Sequence, residues 1–452
     1  MAAALEFVLN GRPVPLEGVS PNTTLLEFLR ARGLTGTKEG CAEGDCGACS
    51  VAIVESDANG KPTYRAVNSC LMPICLLAGR EVVSVEGVGC QGAHPVQRAM
   101  TEGFGSQCGY CTPGFICSLF EGYYREDLRT EDDLDEQLSG NLCRCTGYRP
   151  IHDAAVEAFS GRRRDDASQS KTNGEDIFQK RLENPALPLA CAHYQVAGET
   201  FFRPTSLAEL LRLKSENPEA RLIAGATELG LEITKRFKKF PVLISTEAVS
   251  ELKALEATDN EWRIGAAVTL TEIKDRLGKE FPALNDMLRV FGSRQIRNRA
   301  TMGGNIVTAS PIGDSAPVLL ALDAKIVIVG QASSLSPSKL RPENMETGWK
   351  PVLRERTLPI GDFFVSYRKT ALQPDEILKT IIIPRGGPKA GLTRRCEWFK
   401  VSKRREMDIS TVAGCFTVDV DAQNIVRHMG LAFGGVAAMP VRALKTEAAL
   451  LG

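Results

Sequence analysis

No stretch of this 452-residue sequence is apolar enough to cross a membrane: the longest run, Leu71 to Ala78, is interrupted by Pro73 and falls far short of the roughly 20 residues a spanning helix needs. There is no excess of either charge. The 55 basic and 55 acidic side chains cancel, and without a basic surplus to neutralise phosphates, nucleic acid is excluded as the main partner. The first residues, Met1 to Asn10, have no basic n-region and carry Glu6, so they do not read as a secretory leader. These absences point to the cytoplasm. A reducing compartment in turn argues against a disulfide framework for the 14 cysteines, which leaves metal or redox chemistry for those that cluster. Length and composition otherwise describe a globular chain of two to four domains.

"LEFVLNGRPVPL" places Asn10-Gly11 between two alternating runs, a hairpin signal. "TTLLEFLRARGL" (23–34) has the period of a short amphipathic helix, and "CSVAIVES" (49–56) and "REVVSVEG" (80–87) read as strands. Strands around a single helix suggest a β-grasp unit over residues 1–87. Over 88–160 the pattern turns helical: "HPVQRAMTEGF", "PGFICSLFEGYYRE", "TEDDLDEQLSGNL" and "PIHDAAVEAFS" predict four helices. Residues 161–195, opening with "GRRRDDASQSKTNGED", have linker composition. Strands and helices then alternate over 196–385, with strands expected at 221–227, 242–248, 262–269, 325–330 and 377–384 and a surface loop at 333–350. A last α+β segment, 386–452, reads as a domain that stops early, just after a helix begins at Ala443. The expected fold class is therefore α+β and multidomain.

Cys41, Cys46, Cys49 and Cys70 are spaced C-x4-C-x2-C-x20-C, the plant-type pattern in which a loop wraps a [2Fe–2S] cluster and a distant thiolate closes it. Gly40, Gly44 and Gly47 let the backbone approach and turn N–H groups toward sulfur. A zinc site, which favours two close knuckles, fits this wrap less well. Cys108 and Cys111 (C-x2-C) are separated by 31 residues from Cys143 and Cys145 (C-x-C). Each pair precedes a predicted helix, whose N-terminal N–H groups suit an anionic cluster. Alone, this second set fits zinc as well as iron–sulfur. The other cysteines, Cys75, Cys90, Cys117, Cys191, Cys396 and Cys415, stand outside any motif and read as small buried hydrophobes.

Gly87-Val-Gly89-Cys-Gln-Gly92 matches G-x-G-x-x-G, but no second parallel strand and no acid at a strand end follow, so a loop between cluster domains is the better reading. "LIAGATELG" (222–230) is a strand running into a glycine turn, and "RNRATMGGNIVTASPIGDSAP" (297–317) is a glycine-rich loop. Close backbone approach at Gly303 and Gly304, with Asn305, Thr308 and Ser310 as hydrogen-bonding groups, suits a pyrophosphate, although two tight turns of an α+β domain would carry the same residues.

"CAEGDCGAC", "QCGYCTPGF" and "SGNLCRCTGYRPI", covering residues 5–160, resemble the iron–sulfur part of the molybdenum hydroxylases, the family of xanthine dehydrogenase and aldehyde oxidase. "LIAGATELG" and "TMGGNIVTASPIGD" resemble the FAD-binding domain of the same family, related to the vanillyl-alcohol-oxidase type of flavin fold. The resemblance implies a β-grasp [2Fe–2S] ferredoxin domain, a four-helix [2Fe–2S] domain, a two-subdomain FAD-binding domain and a partial C-terminal flavoprotein domain. It implies that Gln107 lies near the pterin of a molybdenum cofactor on an adjacent domain or subunit. It also implies FAD contacts from Leu222, Ile223, Ala224, Gly225, Ala226, Thr227, Glu228 and Leu229, and from Phe291, Thr301, Asn305, Asp314, Leu378 and Lys400. "WFKVSKRREMDIS" resembles the loop that tunes the flavin and its access to NAD+, with a less acidic run than in vertebrate relatives.

In the family it resembles a molybdenum–pterin site takes a far larger domain than any stretch here, so the resemblance implies that the substrate-oxidising centre lies on a large partner subunit and that this chain supplies no catalytic residue for substrate oxidation. Fusion of iron–sulfur and FAD modules resembles the small subunit of the two-chain bacterial members of the family. That implies an (αβ)2 heterotetramer oxidising hypoxanthine and xanthine to urate with NAD+ as acceptor. An aldehyde or N-heterocycle as substrate, or a stand-alone flavin iron–sulfur reductase, remain open alternatives.

Overall fold

The computed structural model describes residues 5–168, 176–331, 353–385 and 391–452. The chain divides into two compact units: one comprises Met1–Phe201, Gly225–Leu243 and Val290–Ala300, the other Phe202–Ala224, Ile244–Arg289 and Thr301–Gly452.

The first unit opens with the expected hairpin, β1 (Glu6–Leu9) against β2 (Arg12–Pro15). Asn10 and Gly11 have φ of 51° and 77°, the left-handed pair that a type I′ turn needs. The helix α1 (Leu25–Ala31) starts at a Thr24–Glu27 capping box and buries Leu25, Leu26, Phe28 and Leu29. With β3 (Ser50–Ser56), β4 (Pro62–Asn68) and β5 (Glu81–Val83), the strands form one sheet in the order β2-β1-β5-β3-β4, β1 parallel to β5. This is a sheet crossed by a single helix, as a β-grasp requires.

Two local readings need correction. β4 is not among the expected strands, because Arg65 and Asn68 break its apolar pattern, yet both are buried. The strand expected over 80–87 ends at Val83, and Ser84 leads into α2 (Val85–Val88). Asn10 explains the turn: its side chain accepts from the Ser84 N–H at 2.9 Å and donates to Ser84 Oγ at 3.0 Å. A Cβ on Gly87 would lie 2.0 Å from Asn10 Oδ1. That glycine of the G-x-G-x-x-G string thus serves packing against the hairpin.

The four predicted helices are present: α3 (Pro95–Glu102), α4 (Thr112–Tyr124), α5 (Glu131–Leu138) and α6 (Arg149–Ser168). α4 is buried from Gly114 to Tyr123 and is the centre of this core, where each buried aromatic contributes roughly 1.5–3 kcal/mol. Residues 161–195 are not one free tether. α6 continues to Ser168, and α7 (Ile177–Arg181), capped by Asp176, packs Phe178 edge-on against Phe120, His94 and Tyr64. Arg181 Nε donates to Glu81 Oε2 at 2.8 Å. Polar composition hid a segment anchored by the Phe178 ring, the Arg181–Glu81 ion pair and hydrogen bonds from Tyr124 to Asp176 and from Tyr64 to the Phe178 carbonyl; residues 169–175 lie outside the described residues.

The second unit holds a five-stranded sheet, with strands in the order Leu255–Ala257, Glu261–Gly265, Ile377–Pro384, Lys325–Gln331 and Leu353–Pro359, antiparallel throughout. It also holds a four-stranded antiparallel sheet, Thr393–Val401, Val412–Val420, Val426–Gly434 and Val441–Arg442, followed by the helix Leu444–Ala449 expected near Ala443. The strand expected at 221–227 stops at Ile223, ahead of Ala226 at φ 65°. The loop expected at 333–350 lies outside the described residues. Among the described residues no helix is long and apolar enough to cross a membrane.

Candidate functional site

The first cysteine set sits on the loop between α1 and β3 and on the turn after β4. Backbone N–H groups of Glu43 and Cys46 donate to Cys41 Sγ, each at 3.4 Å, and the Cys41 N–H donates to Cys46 Sγ at 3.3 Å. Cys49 Sγ lies 3.3 Å from Cys70 Sγ, and the Asn68 amide reaches Cys49 Sγ at 3.9 Å. The glycines make this wrap possible. Gly44 and Gly47 have φ of 84° and 66°, and a Cβ on Gly40 would lie 2.6 Å from Cys46 Sγ. A hydrogen bond from the Cys46 thiol, helped by the turn N–H groups, holds Cys41 down to about 5. Its partner Cys46 is pushed up, chiefly by that same bond. Cys49 is held low and Cys70 high, again mainly through the bond between them. Two thiol pairs ringed by N–H donors are a donor set that suits metal binding once deprotonated. They fit a [2Fe–2S] cluster.

The second set forms where α4 and α6 begin. Cys111 immediately precedes α4, and Cys143 and Cys145 lie just before α6. The thiols influence one another crosswise, Cys108 with Cys145 and Cys111 with Cys143. The Tyr110 N–H, then the Cys145 thiol, hold Cys108 below the ordinary thiol range. Burial works against ionisation of Cys143, but the Thr146 hydroxyl at 3.1 Å turns the balance downward. The Cys143 N–H donates to Tyr148 Oη at 3.1 Å. Thr146 and Tyr148, both inside "CRCTGY", are contacts of Cys143 that the cysteine spacing alone does not reveal. Gln107 is exposed beside exposed Cys108.

The two sets meet through backbone. The Leu142 N–H donates to the Cys46 carbonyl at 3.0 Å, and the Asn141 amide donates to the Gly47 carbonyl at 3.2 Å. A Cβ on Gly114 would lie 2.1 Å from the Gly47 oxygen, and one on Gly47 would lie 2.2 Å from the Gly140 oxygen. A cysteine of one set is thus one hydrogen bond from the neighbour of a cysteine of the other. Gly47→Ala strains a left-handed position and drives a methyl into backbone. A loss of about 2–5 kcal/mol is expected in thermal unfolding, with reduced iron content at both sets.

The expected flavin residues fall in both units. In the first, a Cβ on Gly225 would lie 1.7 Å from the Arg299 carbonyl oxygen, so only glycine fits there. Ala226 is left-handed, Thr227 follows, and Glu228 immediately precedes the helix Leu229–Thr234 without a side-chain capping bond. The Phe291 carbonyl accepts from Arg297 at 3.0 Å. In the second unit, Leu222 and Ile223 end the strand Arg221–Ile223, with Ala224 next. Thr301 caps Met302–Val307 by accepting from the Gly304 N–H at 3.0 Å, and a Cβ on Gly303 would meet the Ala266 oxygen at 2.5 Å. Asn305 Oδ1 accepts from the Ser315 hydroxyl at 2.5 Å. Asp314 joins Lys400 at 3.0 Å and Ser410 at 2.5 Å; Ser410 has no sequence signal of its own. Leu378 is buried in Ile377–Pro384. The Thr308 hydroxyl donates to the Gly304 carbonyl at 2.9 Å, within its own helix. In the first unit the crossing at Gly225 excludes a Cβ, and in the second the crossing at Gly303 comes with the Asn305 amide and the Asp314–Lys400 pair; each by itself is chemistry that suits a dinucleotide cofactor.

The remaining cysteines are not uniformly buried. Cys75, Cys117 and Cys415 are, whereas Cys90 and Cys191 are exposed. Cys396 and Cys415 place their sulfurs 3.8 Å apart across neighbouring strands.

Comparison with known proteins matches residues 7–75 to a 2Fe-2S iron-sulfur cluster binding domain and 84–156 to a [2Fe-2S] binding domain. Residues 194–337 match the FAD binding domain in molybdopterin dehydrogenase, and 397–452 the CO dehydrogenase flavoprotein C-terminal domain. Xanthine dehydrogenase of Emericella nidulans is 35% identical over 99% of this chain and 35% of its own length. Xanthine dehydrogenase/oxidase of Rattus norvegicus is 34% identical over 98% of this chain and 35% of its own. The chain spans about a third of the length of these relatives. A solved carbon monoxide dehydrogenase from Hydrogenophaga pseudoflava is 24% identical over 56% of this chain and 79% of that chain, with a TM-score of 0.47.

Proposed function

We propose that this chain, which matches two [2Fe–2S] domains and a FAD-binding domain and is similar to xanthine dehydrogenases along its length, belongs to the molybdenum hydroxylase family as the small electron-transfer subunit of a bacterial-type xanthine dehydrogenase. In this reading a large partner subunit holds the molybdenum cofactor and oxidises hypoxanthine and xanthine to urate, and the electrons leave on NAD+. Cys41, Cys46, Cys49 and Cys70 hold one cluster, and Cys108, Cys111, Cys143 and Cys145 hold the other. Leu222 to Leu229, Phe291, Thr301, Asn305, Asp314, Leu378 and Lys400 hold FAD. When bound, the clusters supply one-electron transfer and the flavin exchanges single electrons for the pair that a hydride acceptor requires.

The observation that supports the reading is that the thiols of the two cysteine motifs stand in pairs, Cys41 with Cys46, Cys49 with Cys70, Cys108 with Cys145 and Cys111 with Cys143, while the two motifs are linked by the bond between Leu142 and Cys46. The chain's residues also distinguish two ends. Exposed Cys108, Cys145 and Gln107, with exposed Phe104 and Tyr110 beside them, suit the partner side. Buried Cys49 and Cys70 suit the interior of the relay. Asp314 fixes Lys400, so that the ammonium stands at a set place for a cofactor phosphate or ring. A pair of such chains with two large subunits, in a reducing cytoplasm that keeps the thiols free, completes the proposal.

Expression with its neighbouring genes and purification on a tag carried by this chain tests it. A large molybdenum-containing chain should co-purify, and the complex should reduce NAD+ with xanthine. A complex that turns over aldehydes or N-heterocycles but not xanthine would move the proposal to another member of the family. A chain that purifies alone and passes electrons from NADH to soluble acceptors would replace it with a stand-alone reductase.

A further inference from the structure

The helix Leu229–Thr234 begins directly after the glycine turn assigned to the flavin and ends against the first cysteine loop. Its seat is specific. A Cβ on Gly230 would lie 2.6 Å from the Leu71 oxygen, and Leu231 packs on the small core of Leu26, Cys49, Cys70 and Leu71. The end of the helix grips the loop at three successive residues. The Thr234 hydroxyl donates to the Ala42 carbonyl at 2.7 Å, at a residue held in the left-handed region with φ 55°. The Lys235 ammonium donates to the Cys41 carbonyl at 2.9 Å and lies 3.3 Å from the Glu43 carboxylate. Glu43 in turn directs its N–H to Cys41 Sγ.

We propose that Lys235, seconded by Thr234, is a positioning residue that raises the reduction potential of the Cys41/Cys46/Cys49/Cys70 centre. The inference rests on the reading of that set as a [2Fe–2S] site. Two effects act with the same sign. Reduction adds negative charge to the centre, and the Lys235 ammonium cancels the charge of Glu43, which would otherwise oppose it. Lys235 also holds Glu43 where its N–H points at sulfur, and an N–H donor to a cluster thiolate favours the reduced form. Loss of the ammonium uncovers one negative charge and loosens one donor, and both lower the potential. Lys235 and Glu43 side chains are 45% and 40% exposed, so the charge part is screened and shrinks as salt rises.

An EPR-monitored redox titration of the purified holoprotein tests this, with the signals assigned through Cys143→Ser. Lys235→Met should move the midpoint of the first centre to more negative potential and leave the second where it was. Lys235→Arg should stay near the wild type, and Lys235→Met combined with Glu43→Gln should recover part of the shift. Thr234→Val should shift in the same direction, by less. An unmoved first midpoint in Lys235→Met, or an equal shift of both centres, overturns the proposal. If Lys235→Met loses iron at this centre, Glu43→Gln alone carries the test: a positive shift supports the proposal and none overturns it. A wild-type protein without a signal from this set would defeat the cluster reading itself, a result distinct from two normal signals with an unmoved midpoint.

Discussion

Cys143→Ser is expected to remove one of two [2Fe–2S] EPR signals and to bring NAD+ reduction by the complex down to background, with FAD still bound. Cys143 is the buried member of its set, 8% exposed. It is fixed by a hydrogen bond from its own N–H to Tyr148 and by the Thr146 hydroxyl at its sulfur. The Thr146 contact favours a thiolate, the form that binds metal. A serine hydroxyl titrates far above a thiol and is a harder, poorer ligand for iron. The residues assigned to FAD lie from Leu222 onward, outside both cysteine sets, so flavin content is the internal control. The signal of the Cys41 set should persist. If both signals and the activity survive the substitution, Cys143 is not a ligand.

Glu121→Gln is expected to lower the stability of the first unit by about 3–5 kcal/mol, the usual cost of stranding a buried partner charge. Glu121 is fully buried. It accepts from Arg294 Nε at 2.8 Å, the Asn298 amide at 3.2 Å and the Gln137 amide at 3.1 Å. Burial alone would raise its carboxyl, but the guanidiniums of Arg294, Arg125 and Arg65 bring the net shift below the ordinary value. The sign follows from linkage. A carboxylate whose folded pKa lies below its unfolded value of about 4.3 contributes in full above that pH, and the contribution disappears as pH falls through the folded pKa. The wild-type unit should therefore lose stability on acidification below about pH 4, and Glu121→Gln should flatten that dependence. Lys61→Gln, which removes an exposed pair with Glu126, should leave the melting temperature essentially unchanged. Equal effects of the two substitutions would contradict the account of the buried pair.

The same buried network shows where sequence reading stops. The cysteine motifs are legible because their spacing is local: the glycines and thiols of "CAEGDCGAC" sit on one loop, and each half of the second set sits at one helix start. The amphipathic and buried helices are legible from their period, and the Asn10-Gly11 hairpin from its turn chemistry. The segment Ser293–Arg299 is not. "SRQIRNR" has the composition of a solvated stretch, yet Arg294, Gln295, Arg297, Asn298 and Arg299 are all buried. They are paired with Glu121, Asn141, Glu136, the Ala66 carbonyl and Glu55. Their partners lie more than 150 residues away in sequence, and no local pattern announces them. The same holds for Lys235 and Thr234, whose role depends on a contact with residues 41–43, and for Phe178, whose one ring anchors a segment of linker-like composition. The Cys46–Leu142 bond is invisible for a further reason: it uses backbone atoms, which every residue has.

The central claim is that this chain carries two separate iron–sulfur centres, ligated by Cys41, Cys46, Cys49 and Cys70 and by Cys108, Cys111, Cys143 and Cys145. EPR of the dithionite-reduced complex, with metal analysis of the same sample, tests it most directly. Two distinct [2Fe–2S] signals and about four irons per chain are predicted. A single signal, or zinc in place of iron at the Cys108 set, would contradict it.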